Sequence, residues 1–228
     1  MGNPLYLAMT AAEFSACAVI PEKTAWMACH FSPYGRGLSN IPRELPPGSM
    51  LILNDRIPPQ GIDPSLVVQQ LLQAVKDLGC EAVLLDFQRP DNELTQAVAN
   101  AVCETAPCPV AVSAPYAGTF SCPVFLPPPP LRCDPAQYFT PWAQRQIWLE
   151  VYDQWEVVTI TENSVQIKAE APETQPVLPH FDQKLCCRYG IAIGEDRAIF
   201  TLHRTMDELQ ALPYPVSSFI ALWQDCGL

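Results

Sequence analysis

Short apolar runs that turn polar at their far end recur along this chain. Leu5 to Thr10 is the first, Thr24 to Ser32 the second, and Ser49 to Leu53, running out into Asn54-Asp55-Arg56, the third. Cys80 to Pro90 repeats the pattern most clearly: Ala82 to Leu85 reads as a buried strand, and Asp86, Gln88 and Arg89 follow it before Pro90. Pro109 to Ser113 and Cys122 to Leu126 are two more strands of this kind, the second halted by four consecutive prolines. A strand that leaves the core and ends in polar side chains is how open α/β sheets and α/β barrels present their sites.

Between these runs the periodicity becomes helical. Asp63-Pro64 is a helix start, with Asp63 as N-cap and Pro64 where a missing N–H costs nothing. Val67, Leu71, Ala74, Val75 and Leu78 then recur at helical spacing until Gly79 closes the helix. Met50 to Asp86 is therefore a strand–helix–strand unit, parallel and right-handed. Ala11 to Val19 and Asp91 to Thr105 predict further helices, and Asp134-Pro135 predicts another over Ala136 to Tyr152, rich in aromatic residues. From Trp155 the texture turns antiparallel. Trp155 to Thr161 with Ser164 to Ala169, and Lys184 to Ile193 with Arg197 to His203, read as hairpins, followed by a helix at Met206 to Leu212 and a strand at Val216 to Trp223. This order predicts a single α/β domain over residues 1–228: an abbreviated or irregular (β/α)8 TIM-like barrel, with antiparallel hairpins in the last third, about 155–204. A three-layer open α/β sheet is the alternative.

Composition narrows the partners. With 49% hydrophobic and 16% charged residues the chain is a well-buried globular protein. Its 24 Asp and Glu against 13 Lys and Arg leave a net charge of −11, which repels phosphate backbones and anionic lipid. Neither nucleic acid nor a membrane is expected as a partner; a small neutral ligand fits better. The 10 cysteines are too sparse for a disulfide scaffold, and Cys29, Cys80, Cys186 and Cys187 lie in apolar runs, so the cysteines are expected to be reduced and mostly buried. No Cys-x-x-Cys pair occurs and His30, His180 and His203 are scattered, so no metal is expected. Gly35-Arg36-Gly37 is not followed by a helix start, and no cofactor is expected. The first residues lack a basic n-region and no apolar run reaches the ~18 residues of a spanning helix, which makes the cytoplasm the expected compartment.

In a barrel the polar strand ends converge at one mouth. Asp86 is the expected catalytic residue, and His30, Asp55, Arg56, Gln88, Arg89, Tyr116 and Trp223 the expected substrate-binding set. Asp55 and Arg56 are adjacent, so at most one of them faces the mouth; Asp86 and Gln88, two apart, share a face with Leu84 one step deeper. A single polar strand end is more often structural, because the chain is leaving the core there, and the collective pattern carries more than any one member.

Two segments resemble a known family. The Leu84-Leu85-Asp86-Phe87-Gln88 strand, preceded by a helix, resembles the catalytic strand of the chitinase-like glycosidases, glycoside hydrolase family eighteen, and Phe219-Ile220-Ala221-Leu222-Trp223 resembles that family's last barrel strand, whose Trp floors the sugar site. The family's strand reads Asp-x-x-Asp-x-Asp-x-Glu. The resemblance places Asp86 on the Asp that orients the substrate's N-acetyl group, Gln88 on the general acid, Leu84 on the middle Asp and Glu81 on the first position. An amide cannot protonate a leaving group, and loss of a general acid typically costs ~10² to 10⁴ in rate. The resemblance therefore implies a carbohydrate-binding relative with impaired catalysis, a pseudoenzyme that takes a neutral sugar or amino sugar.

Two alternatives stand beside it. An active enzyme of another class would use Asp86 as general base, with Arg56 or Arg89 pinning an anionic substrate group. Schiff-base chemistry is disfavoured, since only four lysines occur and none closes a clear barrel strand. A non-catalytic interaction module would instead present the aromatic segment Tyr138 to Tyr152 to a partner, although aromatics at helical spacing are more often core.

Overall fold

The computed structural model describes residues 3–58, 61–89, 92–115, 121–161, 164–168, 188–194 and 197–226. The chain divides into two compact units, one of residues 1–127, 144–150 and 215–228, the other of residues 128–143 and 151–214.

The first unit is a closed barrel of eight parallel strands. In chain order these are β1 (Leu5–Met9), β2 (Thr24–Phe31), β4 (Met50–Asn54), β5 (Ala82–Asp86), β6 (Val110–Ser113), β7 (Val124–Leu126), β8 (Ile147–Glu150) and β13 (Val216–Leu222), with the two-residue β3 (Leu38–Ser39) hydrogen-bonded antiparallel to β2. Each barrel strand pairs with the next, and β1 closes the ring by pairing with both β2 and β13. Helices α1 (Ala11–Ala16), α2 (Pro64–Leu78) and α3 (Glu93–Thr105) fill three of the crossovers. This is the TIM-like α/β barrel that the strand pattern predicts.

The continuous apolar runs follow from burial on both faces. Leu51, Leu53, Val83, Leu85 and Val112 point outward into a core shared with Val67, Leu71, Val98 and Val102 of α2 and α3. The alternate residues Ala8, Met50, Ile52, Ala82, Leu84, Ala111, Trp148 and Ile220 point inward and fill the barrel. Helix α2 starts where Asp63 accepts from the Ser65 N–H at 2.9 Å and ends at Gly79, whose φ of 64° lets Cys80 N–H reach back to Val75 at 3.0 Å. Asn92 caps α3, accepting from the Leu94 and Thr95 N–H groups. Helix α1 ends at Ala16, three residues sooner than Val19, because Cys17 is extended. No helix among the described residues is long and apolar enough to cross a membrane.

One expected element resolves differently. The helix begun by Asp134-Pro135 is only α4 (Pro135–Phe139) with one 3-10 turn to Trp142, and Ile147–Glu150 is β8, the seventh barrel strand. Pro141 lies in that short turn, and Ile147-Trp148-Leu149 are fully apolar and buried, the signature of the other barrel strands. The aromatics expected on one helix are accordingly split: Trp148 lies in the barrel interior and Phe139 packs against Tyr214 with ring centroids 4.5 Å apart.

The second unit is built on a four-stranded antiparallel sheet with strand order β10 (Ser164–Lys168), β9 (Gln154–Thr161), β12 (Arg197–Arg204), β11 (Arg188–Gly194), the two expected hairpins joined through β9 and β12. Within it Arg204 is fully buried and donates to the Pro129 carbonyl at 2.8 Å and to Gln154 Oε1 at 3.2 Å, and His203 stacks on Trp155 at 3.6 Å. Helix α5 (Met206–Gln210) follows β12.

Candidate functional site: the barrel mouth

Parallel register brings the C-terminal residues of the strands to one end of the barrel, with Asn54 of β4 beside Asp86 of β5 and Ile220 of β13 beside Glu150 of β8. A cavity of about 340 Å³ opens there. Its apolar lining is Ala8, Met27, Ile52, Leu84, Phe125, Ile220 and Leu222, and its polar lining is Thr10, Glu13, Asn54, Arg56, Asp86, Glu150 and Gln224. An apolar pocket with a few convergent polar groups is the general form of a small-molecule site.

Asp86 and Glu150 are the two carboxyls of the cavity lining whose pKa values are raised. Burial pushes the Asp86 carboxyl above its ordinary range, opposed by the Gln88 amide, which donates from Nε2 to Asp86 Oδ1 at 2.5 Å, and by the charge of Arg56; the Asp55 charge pushes it up further. Burial likewise raises Glu150, and the charges of Asp86 and Asp225 raise it further. Among the described residues Glu150 has neither a hydrogen bond nor an ion pair to hold it down. The charge of one carboxyl disfavours ionisation of the other, so the two are coupled in their titration. Glu13 is held at the rim by the capping box of α1, its Oε2 accepting from the Thr10 N–H at 2.7 Å and the Thr10 hydroxyl at 2.8 Å.

Several polar strand-end residues brace the backbone around the mouth. Asp55 is 2% exposed, and its two carboxylate oxygens accept the backbone N–H groups of Gln88 and Arg89, each at 3.0 Å. It therefore fixes the turn after β5, and Arg56, its neighbour, is the one of the pair that lines the cavity. Phe87 points the other way, buried and stacked on Phe31 at 5.8 Å, which anchors the strand end between Asp86 and Gln88. Asn54 donates to the carbonyls of Met27 and Cys29 at 3.0 and 2.9 Å, bridging the bulge where β2 carries one residue more than β4. Ser113 donates to the carbonyl of Phe87 at 2.6 Å. His30 lies between the Phe31 carbonyl at 2.7 Å and Asn40 at 3.0 Å and tethers the β2–β4 connection, outside the cavity lining.

The remaining candidates divide. Gln88 is exposed and touches the site only through Asp86, while Arg89 is exposed and donates to the Arg56 carbonyl at 3.4 Å. Trp223 is half-buried in the turn after β13 and is not part of the cavity lining, although Gln224 beside it is. Tyr116 lies outside the described residues. Glu81, on the first motif position, is at the opposite end of β5 from Asp86, where Tyr6 and Lys23 hold it. No group of three His, Cys, Asp or Glu side chains placed to hold a metal ion occurs among the described residues.

Two contributors escape the strand-end reading. Glu150 was hidden by the helix expected over Ala136 to Tyr152, although Ile147-Trp148-Leu149-Glu150 has the same apolar-to-polar form as the other strands. Glu13 follows Thr10 at the capping-box spacing, a signal present in the sequence that points to a helix start. Compared with models of protein families, with curated proteins and with solved structures, the chain matches none.

Proposed function

We propose that the barrel mouth is an acid–base site for a small, neutral, hydroxyl-rich ligand of the sugar class, with Asp86 and Glu150 as its working pair. The observation that carries this reading is that both carboxyls line one cavity of mixed apolar and polar walls and both have raised pKa values. Glycosidases in general place two carboxyl groups across the scissile bond, one protonated to assist the leaving group and one ionised as base or nucleophile. Here the roles separate by environment. Asp86 has the Gln88 hydrogen bond and the Arg56 charge to favour its ionised form, whereas Glu150 has Asp86 and Asp225 to disfavour it. Asp86 is therefore the base or nucleophile and Glu150 the acid. Gln88 orients Asp86 and needs no proton of its own, which removes the objection that an amide raises at the family's general-acid position. The cavity carries Glu13, Asp86 and Glu150 against Arg56, a balance that favours neutral ligands over anions.

A second reading rests on Arg56. Its guanidinium lines the cavity and makes no ion pair among the described residues, so it is free to pin an anionic substrate group while Asp86 acts as base.

A thermal-shift and crystallographic screen with neutral sugars, amino sugars and small carboxylates separates the two. Stabilisation by a neutral sugar or amino sugar, lost in Asp86→Asn and in Glu150→Gln, supports the first. Stabilisation only by anions, lost in Arg56→Ala, supports the second. A gain of chitin-oligosaccharide turnover in Gln88→Glu would instead favour the chitinase-like arrangement, with the acid at position 88.

A further inference from the structure

Outside the mouth, two thiols of the barrel unit face each other. Cys103, on the last turns of α3, donates to the sulfur of Cys122 at a separation of 3.5 Å across 19 positions of chain. Both are partly exposed, whereas Cys29 and Cys80 are buried as the apolar pattern predicts. Arg145 donates to the Cys122 carbonyl at 2.7 Å, so its guanidinium stands beside this pair. A disulfide needs a sulfur separation near ~2.05 Å, a closure of roughly 1.5 Å from the 3.5 Å seen here, within reach of side-chain rotation.

We propose that Cys103 and Cys122 form a peroxide-responsive thiol pair, a modification site at which Cys122 is oxidised first and Cys103 then closes a disulfide. The hydrogen bond from Cys103, aided by the Arg145 charge and opposed by burial, holds the Cys122 thiol below its ordinary value, while Cys103 is pushed up. The Arg145 guanidinium, bonded to the Cys122 carbonyl, makes Cys122 the side of the pair at which the thiolate forms more readily, with Cys103 as its proton-bearing partner. The Cys122 thiolate attacks one oxygen of hydrogen peroxide, the O–O bond breaks, and hydroxide leaves, to be protonated to water. The Cys103 sulfur then attacks the resulting sulfenic sulfur, forming the S–S bond as the S–O bond breaks. Hydroxide takes up the Cys103 proton and departs as water. In sum, two thiols and one peroxide give one disulfide and two waters.

The bridge would tie α3 to the start of β7, whose Phe125 lines the mouth cavity three residues after Cys122. This is a property of the thiol pair alone and does not depend on the function proposed for the cavity.

The test treats the reduced full chain with graded hydrogen peroxide, blocks remaining thiols, and maps peptides by mass. The expected result is that the Cys103–Cys122 bridge forms before any other cysteine is modified, with loss of two hydrogen atoms. In Cys103→Ser the sulfenic acid should persist at Cys122 and be captured by dimedone; in Cys122→Ser no early oxidation should occur at Cys103. Bridging of other cysteines first, or dimedone capture elsewhere than Cys122 in Cys103→Ser, overturns the proposal. The wild-type peptide map decides the pairing even if a variant folds poorly.

Discussion

Glu81 and Asp86 bracket the same strand, β5, yet the barrel treats the two carboxyls in opposite ways. Glu81 stands at the N-terminal end, in an ion pair with Lys23 and accepting from the Tyr6 hydroxyl at 2.5 Å. Burial is the largest single influence and raises it, but the hydrogen bonds from Lys23 and Tyr6 and the Lys23 charge together outweigh that and bring its pKa down. Asp86 stands at the C-terminal end, where burial outweighs one amide hydrogen bond and the Arg56 charge and lifts its pKa. One end of the barrel satisfies its charge, and the other leaves a carboxyl with a raised pKa facing a cavity. Conservation of structure at the closed end and chemistry at the open end is the general division of labour in α/β barrels.

The largest expected effect breaks the chemical end. With a glycoside substrate identified, Asp86→Asn should lower turnover by about 10² to 10⁴-fold, the range for a lost acid or base, while the same change at Glu81→Gln leaves turnover within about twofold. Steady-state kinetics on the two variants checks this.

Next comes the strut that holds the mouth. Asp55→Ala leaves the Gln88 and Arg89 backbone N–H groups without their acceptor and should cost about 2–3 kcal/mol in denaturant unfolding. Asp55→Asn keeps one acceptor oxygen and should lose less.

Smaller and opposite in sign is the effect of relieving the mouth itself. A raised folded-state pKa means that the folded chain holds its proton more tightly than the unfolded chain. The contribution of Asp86 and Glu150 is therefore most favourable below their unfolded values and declines as pH rises through the folded ones. At neutral pH, Glu150→Gln should accordingly stabilise the fold by about 0.5–2 kcal/mol, a gain that vanishes in acid. Melting curves at several pH values read it out.

The smallest effect is at Glu81. Its lowered pKa makes its contribution present above the unfolded value and lost as pH falls through the folded one. The pair is well exposed, so Glu81→Gln should cost only about 0.2–1 kcal/mol, diminished by added salt.

The fold was legible wherever a strand buried on both faces produced an unbroken apolar run and a capped helix separated it from the next. Ser49 to Asp86 is the clearest case, with Asp63-Pro64 and Gly79 acting as the expected stop signals. Legibility failed at Ile147–Glu150, because Asp134-Pro135 does begin a helix and its start signal outweighed the break at Pro141 and the apolar run Ile147-Trp148-Leu149. That failure concealed Glu150, one of the two carboxyls of the proposed site. At the mouth, strand-end polarity picks out Asp86 and Arg56, which line the cavity, together with Asp55 and His30, which bond to backbone groups outside that lining. Polarity at a strand end says that the side chain needs a partner; it does not say whether the partner is a ligand or a backbone group supplied by a segment 33 residues away, as Gln88 is for Asp55.

The central claim is that Asp86 and Glu150 form one interacting pair in the mouth cavity. Carboxyl-carbon NMR titration of wild type and Asp86→Asn tests it most directly. Both carboxyls are expected to titrate above the ordinary values of about 3.9 for Asp and 4.3 for Glu, and Glu150 to titrate at lower pH once the Asp86 charge is removed. Ordinary values for both, or a Glu150 titration indifferent to Asp86→Asn, would contradict it.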